Sequence, residues 1–155
     1  MAARVLDGRA VAAAIRAELA DEVERLAAAG RRPTLAAVLV GDDEASHIYV
    51  GSKQRAAERS GIGSRRVELP ADAAQKDVLT AVADLNADDG VHGILVQLPL
   101  PAGLDPVEVQ DAIDPAKDVD GLHPTNLGYL AQGKPTFAPC TPSGCMRLFL
   151  SLIHI

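Results

Sequence analysis

A chain of 155 residues is long enough for one domain with a real core, and 48% apolar with 23% charged residues is ordinary for a soluble globular protein. A net charge of −6 with no Lys/Arg cluster weighs against nucleic-acid binding, which needs a concentrated basic face. Aromatics are only 3% and Trp is absent, so the core must be built from Ala, Val, Leu and Ile. The start, Met1-Ala-Ala-Arg-Val-Leu-Asp-Gly8, has no signal-peptide apolar core, and no run approaches the ~18 apolar residues of a membrane span. Cys140 and Cys145 form neither a CxxC nor a disulfide framework and are expected as small buried hydrophobes. A cytoplasmic, reduced protein is the expectation.

Residues 9–29 read as an amphipathic helix, with Val11, Ile15, Leu19, Val23 and Leu26 on one stripe and a stop at Gly30 and Pro33. The continuous apolar run Thr34–Val40, bounded by Pro and Gly, predicts a strand buried on both faces. A helix over 45–60 follows, with Ser46 near its start and Gly61 at its end. Residues 65–69 predict a short strand, 74–87 a helix with Val78, Val82 and Leu85 inward, and 91–98 a second buried strand. Beyond residue 99 Pro and Gly are frequent and only short helices are expected, at 106–112 and 124–131. Thr141-Pro142 then reads as an N-cap followed by Pro at the first helical position. The end, from Leu148 to Ile155, is an apolar tail without a C-cap. This order implies an α/β fold, a three-layer α/β/α arrangement with a mainly parallel sheet and right-handed crossovers.

Four polar islands interrupt this scaffold. Ser46, Tyr49 and Lys53 fall at i, i+3 and i+7, so one helix face can carry all three. An amine stripped of water against a sheet edge becomes a usable proton carrier near neutral pH, whereas the plainer reading is a Lys in water on a surface helix. Gln97 ends an apolar strand, and ligands bind at the carboxyl ends of parallel strands. It offers both a donor and an acceptor, or else satisfies nearby loop backbone. Lys117-Asp-Val-Asp-Gly121 puts two carboxylates in a Gly-terminated loop, which an Asx turn also explains. Pro139-Cys-Thr-Pro-Ser-Gly144 could present backbone N–H groups at a helix start, or be a plain capped turn. His47, His92, His123 and His154 are scattered without ligand spacing, so no metal is expected.

Taken in order, Gly41-Asp-Asp-Glu-Ala-Ser46-His-Ile-Tyr49-Val-Gly-Ser-Lys53, Gly93-Ile-Leu-Val-Gln97-Leu-Pro-Leu-Pro101, Lys117-Asp-Val-Asp120-Gly121 and Pro139-Cys-Thr-Pro142 resemble the bifunctional methylenetetrahydrofolate dehydrogenase/methenyltetrahydrofolate cyclohydrolase family. The likeness runs from about Val5 to about Leu148. It implies one-carbon metabolism serving purine biosynthesis, with NADP as cofactor, a small-molecule folate as partner and a homodimer for full-length members. By the same resemblance Lys53 is the proton-transfer residue, Tyr49 orients it and stacks near the pterin, and Gln97 hydrogen-bonds within the Lys53 site. Asp120 would bind the pterin nitrogens. Ser46, Leu98, Pro99 and Gly121 would complete the substrate wall, with Pro101 beside them. Opening a methenyl bridge takes one proton from water and gives one to a ring nitrogen, so a single poised amine can serve both transfers.

The resemblance also implies a second, Rossmann domain for the dinucleotide. Gly61-Ile-Gly63 lacks the third Gly of a GxGxxG loop and precedes a strand, and no other candidate occurs in the sequence. The expectation is therefore a folate-binding catalytic domain over 1–148, an atypical apolar tail over 149–155, no NAD(P)-binding domain and no dehydrogenase activity in this chain alone. A truncated fragment is the preferred explanation, with apolar surface left exposed. Two other readings stand beside it. The Tyr-x-x-x-Lys spacing is similar to that of short-chain dehydrogenases, whose Gly-rich N-terminal turn is missing here. A non-catalytic folate-binding or interaction module would keep the fold and lose turnover.

Overall fold

Central to the molecule is Thr34–Val40 (β1), whose apolar run continues because both of its edges and both of its faces are covered. A computed structural model of the chain describes residues 5–151. In chain order the remaining elements are Gly8–Ala28 (α1), Glu44–Arg59 (α2), Gly63–Leu69 (β2), Gln75–Ala87 (α3), Gly93–Val96 (β3), Pro106–Asp111 (α4), Pro124–Ala131 (α5) and Cys140–Leu150 (α6). The sheet order is β2-β1-β3 and both pairings are parallel, with Val38 opposite Val67 and Val96. Sheet growth reverses direction at β1, so crossovers of one hand put α2 and α3 on opposite faces. The three-layer α/β expectation is met.

The face toward α3 is the thicker core. Ala36, Val38, Val40, Ile94 and Val96 meet Val78, Val82 and Leu85, and Val109 of α4 closes the end. The opposite face holds a smaller cluster of Ala37, Leu39 and Leu95 against Val50 of α2, flanked by Leu35 and Val119. Beyond β3, Ile94 N–H donates to the Lys117 carbonyl at 2.7 Å, so 117–118 runs beside the strand as an irregular edge. Lys117 also caps α3, its Nζ donating to the carbonyls of Leu85, Asn86 and Asp88. That placement suits both the charge and the orphan carbonyls of a helix C-terminus.

Several boundaries differ from the sequence reading. β3 stops at Val96, two residues early; Gln97 N–H still donates to the Val38 carbonyl of β1, and the Leu98–Pro99 bond that follows is cis. α2 is capped by Asp43, whose carboxylate accepts from Ser46 N–H at 2.8 Å, so Ser46 lies inside the helix and not at its cap. In α6 the cap is Pro139 and Pro142 is the third helical residue, where a missing N–H still costs no intrahelical bond. The helix runs through 149–150 and ends in a Ser151 cap, while 152–155 lie outside the described residues. Of the α1 stripe only Val23 is buried, and Leu19 is 44% exposed. α1 lies beside α6, where a Cβ at Gly8 would stand 3.6 Å from Leu148 Cδ2. Among the described residues no helix is long and apolar enough to cross a membrane.

Candidate functional site

Three segments meet on the α2 face. The first is α2 itself, launched from Gly41, where φ is +84° and a Cβ would stand 3.1 Å from Pro101. The second is the exit of β3. Gln97 N–H donates to the Val38 carbonyl at 2.9 Å and Gln97 Nε2 donates to the Leu98 carbonyl at 2.6 Å. With its backbone and amide nitrogen fixed in this way, its Oε1 faces α2 and accepts from Lys53 Nζ at 3.3 Å. The third segment is 117–121. Asp118 is buried and accepts from Gly121 N–H (3.1 Å), His123 N–H (2.8 Å) and Asn126 Nδ2 (2.9 Å). Asn126 is buried too, donating to the Pro115 carbonyl and accepting from Thr136 Oγ1 at 2.6 Å.

This network folds the loop so that Asp120 stands on the same side as Lys53. A cleft of about 590 Å³ is lined by Lys53, Asp120 and Cys140 over an apolar floor of Leu35, Leu95 and Val119. Gly93 leaves room for that floor, since a Cβ there would lie 2.5 Å from Val119 Cγ1. Gly121 has φ +67° and its position packs on the Ala138–Pro139 backbone, which brings the start of α6 to the cleft. Burial raises the Asp120 carboxyl above its ordinary value; the Lys53 charge opposes this and Asp118 adds to it. Loss of water, followed by the Asp120 charge, likewise pushes the Cys140 thiol up.

Lys53, Gln97 and Asp120 are thus brought together. Tyr49, one turn before Lys53 on α2, is 61% exposed and does not line the cleft. Leu98 and Pro99 are exposed beside Gln97, and Leu98 lines a neighbouring hollow with Val107 and Leu122. Ser46 is not brought to the cleft: it is buried and committed to Asp43, whose carboxyl it holds below the usual range through its side chain and then its backbone N–H. Lys53 is exposed, which agrees with the plainer reading of an amine in water on a surface helix and not with one stripped of water at a sheet edge. Both cysteines are exposed, against the expectation of burial, because α6 lies on the surface with no buried residue of its own.

The catalytic-domain model of tetrahydrofolate dehydrogenase/cyclohydrolase matches residues 6–120. The chain belongs to that family. It is 57% identical over 148 residues to the bifunctional protein FolD of Acidiphilium cryptum, covering 96% of this chain and 52% of the relative. The crystal structure of bifunctional FolD from Campylobacter jejuni superposes with a TM-score of 0.95 at 44% identity, over 97% of this chain and 54% of that one. FolD of Trypanosoma brucei, solved with NADP cofactor and an inhibitor, gives 0.91 at 41% identity, over 96% and 52%. The chain spans about half the length of the curated relatives it matches.

Gly61 closes the turn after α2 with φ +76° and Gly63 opens β2, so neither glycine leads into a helix N-terminus that could cradle a pyrophosphate. The residues missed in the sequence are the supports. Asp118, Asn126 and Thr136 are separated along the chain, and nothing in a single sequence marks an Asn in a helix's first turn as buried. Asp118 was visible only as one of two loop carboxylates, and its roles as turn-former and buried acceptor come from burial alone.

Proposed function

We propose that this chain binds a reduced folate at the Lys53–Gln97–Asp120 cleft and carries the proton transfers of methenyltetrahydrofolate hydrolysis. The observation that carries the reading is the Lys53 Nζ to Gln97 Oε1 bond, made by the same Lys53 that lines a cleft with Asp120. Gln97 takes one Nζ–H and leaves the rest of the amine turned toward the ligand. Lys53 then accepts one proton from the water that attacks the bridge carbon and gives it to the ring nitrogen whose bond to that carbon breaks, while the second proton of the water leaves to solvent as the hydroxyl adduct collapses to the 10-formyl carbonyl. Asp120, with its carboxyl raised by burial, holds a proton more readily than an ordinary Asp and can pair with the donor and acceptor edge of a pterin. Tyr49 precedes Lys53 by one turn of α2, Gly121 follows Asp120, and Leu98 and Pro99 follow Gln97 at the strand exit, where a bound folate would extend beyond the cleft.

The relatives' names couple this hydrolysis to oxidation of the methylene precursor, and NADP is named for the Trypanosoma brucei protein. The Lys53–Gln97–Asp120 site belongs to the folate side of that reaction. Titration of the 15N-labelled chain with 5,10-methenyltetrahydrofolate tests the site. Shifts centred on Gln97, Asp120 and the Lys53 side chain are expected, and shifts confined to α1 or α6 would contradict the reading.

A further inference from the structure

His47 follows the buried Ser46 on α2, and its ring lies between groups from two other segments. Nε2 is 3.3 Å from the Gly41 carbonyl oxygen and Nδ1 is 2.7 Å from Arg66 Nη2 on β2. A guanidinium only donates, so Nδ1 accepts, and the ring proton on Nε2 is left for the Gly41 carbonyl. One tautomer therefore ties the exit turn of β1, the first turn of α2 and the edge strand β2 together. Arg66 is paired with Glu68, and its Nε is buried with no partner among the described residues. The nitrogen that meets His47 is Nη2, which also meets Glu68, so removing His47 would cost that nitrogen its ring acceptor and leave it the ion pair. Asp43, also near the ring, is solvent-exposed at the helix cap and screened.

We propose that His47 is a positioning residue, setting how α2 sits on the sheet and hence where Tyr49 and Lys53 stand relative to Gln97. Tyr49 and Lys53 follow it by two and six residues on one rigid helix, so a rotation at the first turn carries to both. The effect on turnover rests on the folate reading above; the effect on α2 does not.

Two variants of the full chain test this. His47→Leu removes both bonds, whereas in His47→Gln the amide oxygen can accept from Arg66 and the amide nitrogen can donate to Gly41. For His47→Leu we expect the KM for 5,10-methenyltetrahydrofolate to rise at least ~5-fold, the size of one or two lost hydrogen bonds, with faster hydrogen exchange in the first turns of α2. His47→Gln should restore both to within about twofold, a rescue that a filler of space would not give. Ring nitrogen NMR of the unsubstituted chain should place the proton on Nε2, and a proton on Nδ1 would overturn the proposal. So would a Leu variant matching the unsubstituted chain, or a Gln variant as impaired as Leu. If the unsubstituted chain shows no hydrolysis, the folate reading fails and the exchange and ring measurements decide the role of His47.

Discussion

One face of the β2-β1-β3 sheet is closed and the other is open. On the α3 side, Val78, Val82 and Leu85 fill the ground above Val38 and Ile94, and side chains there are fully enclosed. On the α2 side Val50 reaches the sheet, but Leu35 and Val119 remain partly uncovered and form the floor of the cleft. Every polar group of the candidate site lies on or beside this second side. The contrast shows a division of labour along single strands. Alternate residues of β1 and β3 anchor a dry scaffold, and their neighbours surface a cleft that a planar ligand can enter.

The contrast breaks first if the two faces are equally costly to damage. Leu85→Ala, at 1% exposure on the closed side, should lower unfolding free energy by about 2–5 kcal/mol, whereas Leu35→Ala on the open side should lower it by only about 1 kcal/mol. Urea titrations giving equal losses would remove the distinction between scaffold and cleft.

A smaller effect concerns pH. Because burial raises Asp120, the folded chain holds that proton more tightly than the unfolded chain does. The stability it contributes is full below the ordinary carboxylate value and is lost as pH rises through the folded value. Asp120→Asn should therefore lose less stability than the unsubstituted chain as pH rises from acid toward neutral. Superimposable melting profiles of the two across that range would mean Asp120 is not held in a dry position. Asp43 runs the other way: its carboxyl is lowered by Ser46, so its support is present at neutral pH and is lost as pH falls through its folded value.

Much of the closed face was legible in the sequence, because period and punctuation follow directly from burial. Thr34–Val40 emerges at its observed bounds, and Val78, Val82 and Leu85 are the inward residues of α3 as expected. The open face was legible only in part. Gln97 and Lys53 stand out because each is polar where an element meets a strand end, and the structure joins them by a hydrogen bond. The degree of wetting was not legible. Whether Lys53, Ser46 or Cys140 meets water depends on which neighbours pack over α2 and α6, and no local pattern encodes that. Hydrogen bonds such as Arg66 to His47 join residues far apart in the chain, beyond the reach of spacing rules.

The central claim is that the Lys53 amine moves protons for folate hydrolysis at the open face. Its most direct test follows the loss of the methenyl chromophore with the unsubstituted chain and with Lys53→Met, alongside a binding titration of each. The account predicts that Lys53→Met abolishes turnover while binding of 5,10-methenyltetrahydrofolate survives. Hydrolysis continuing at the unsubstituted rate in Lys53→Met would contradict it.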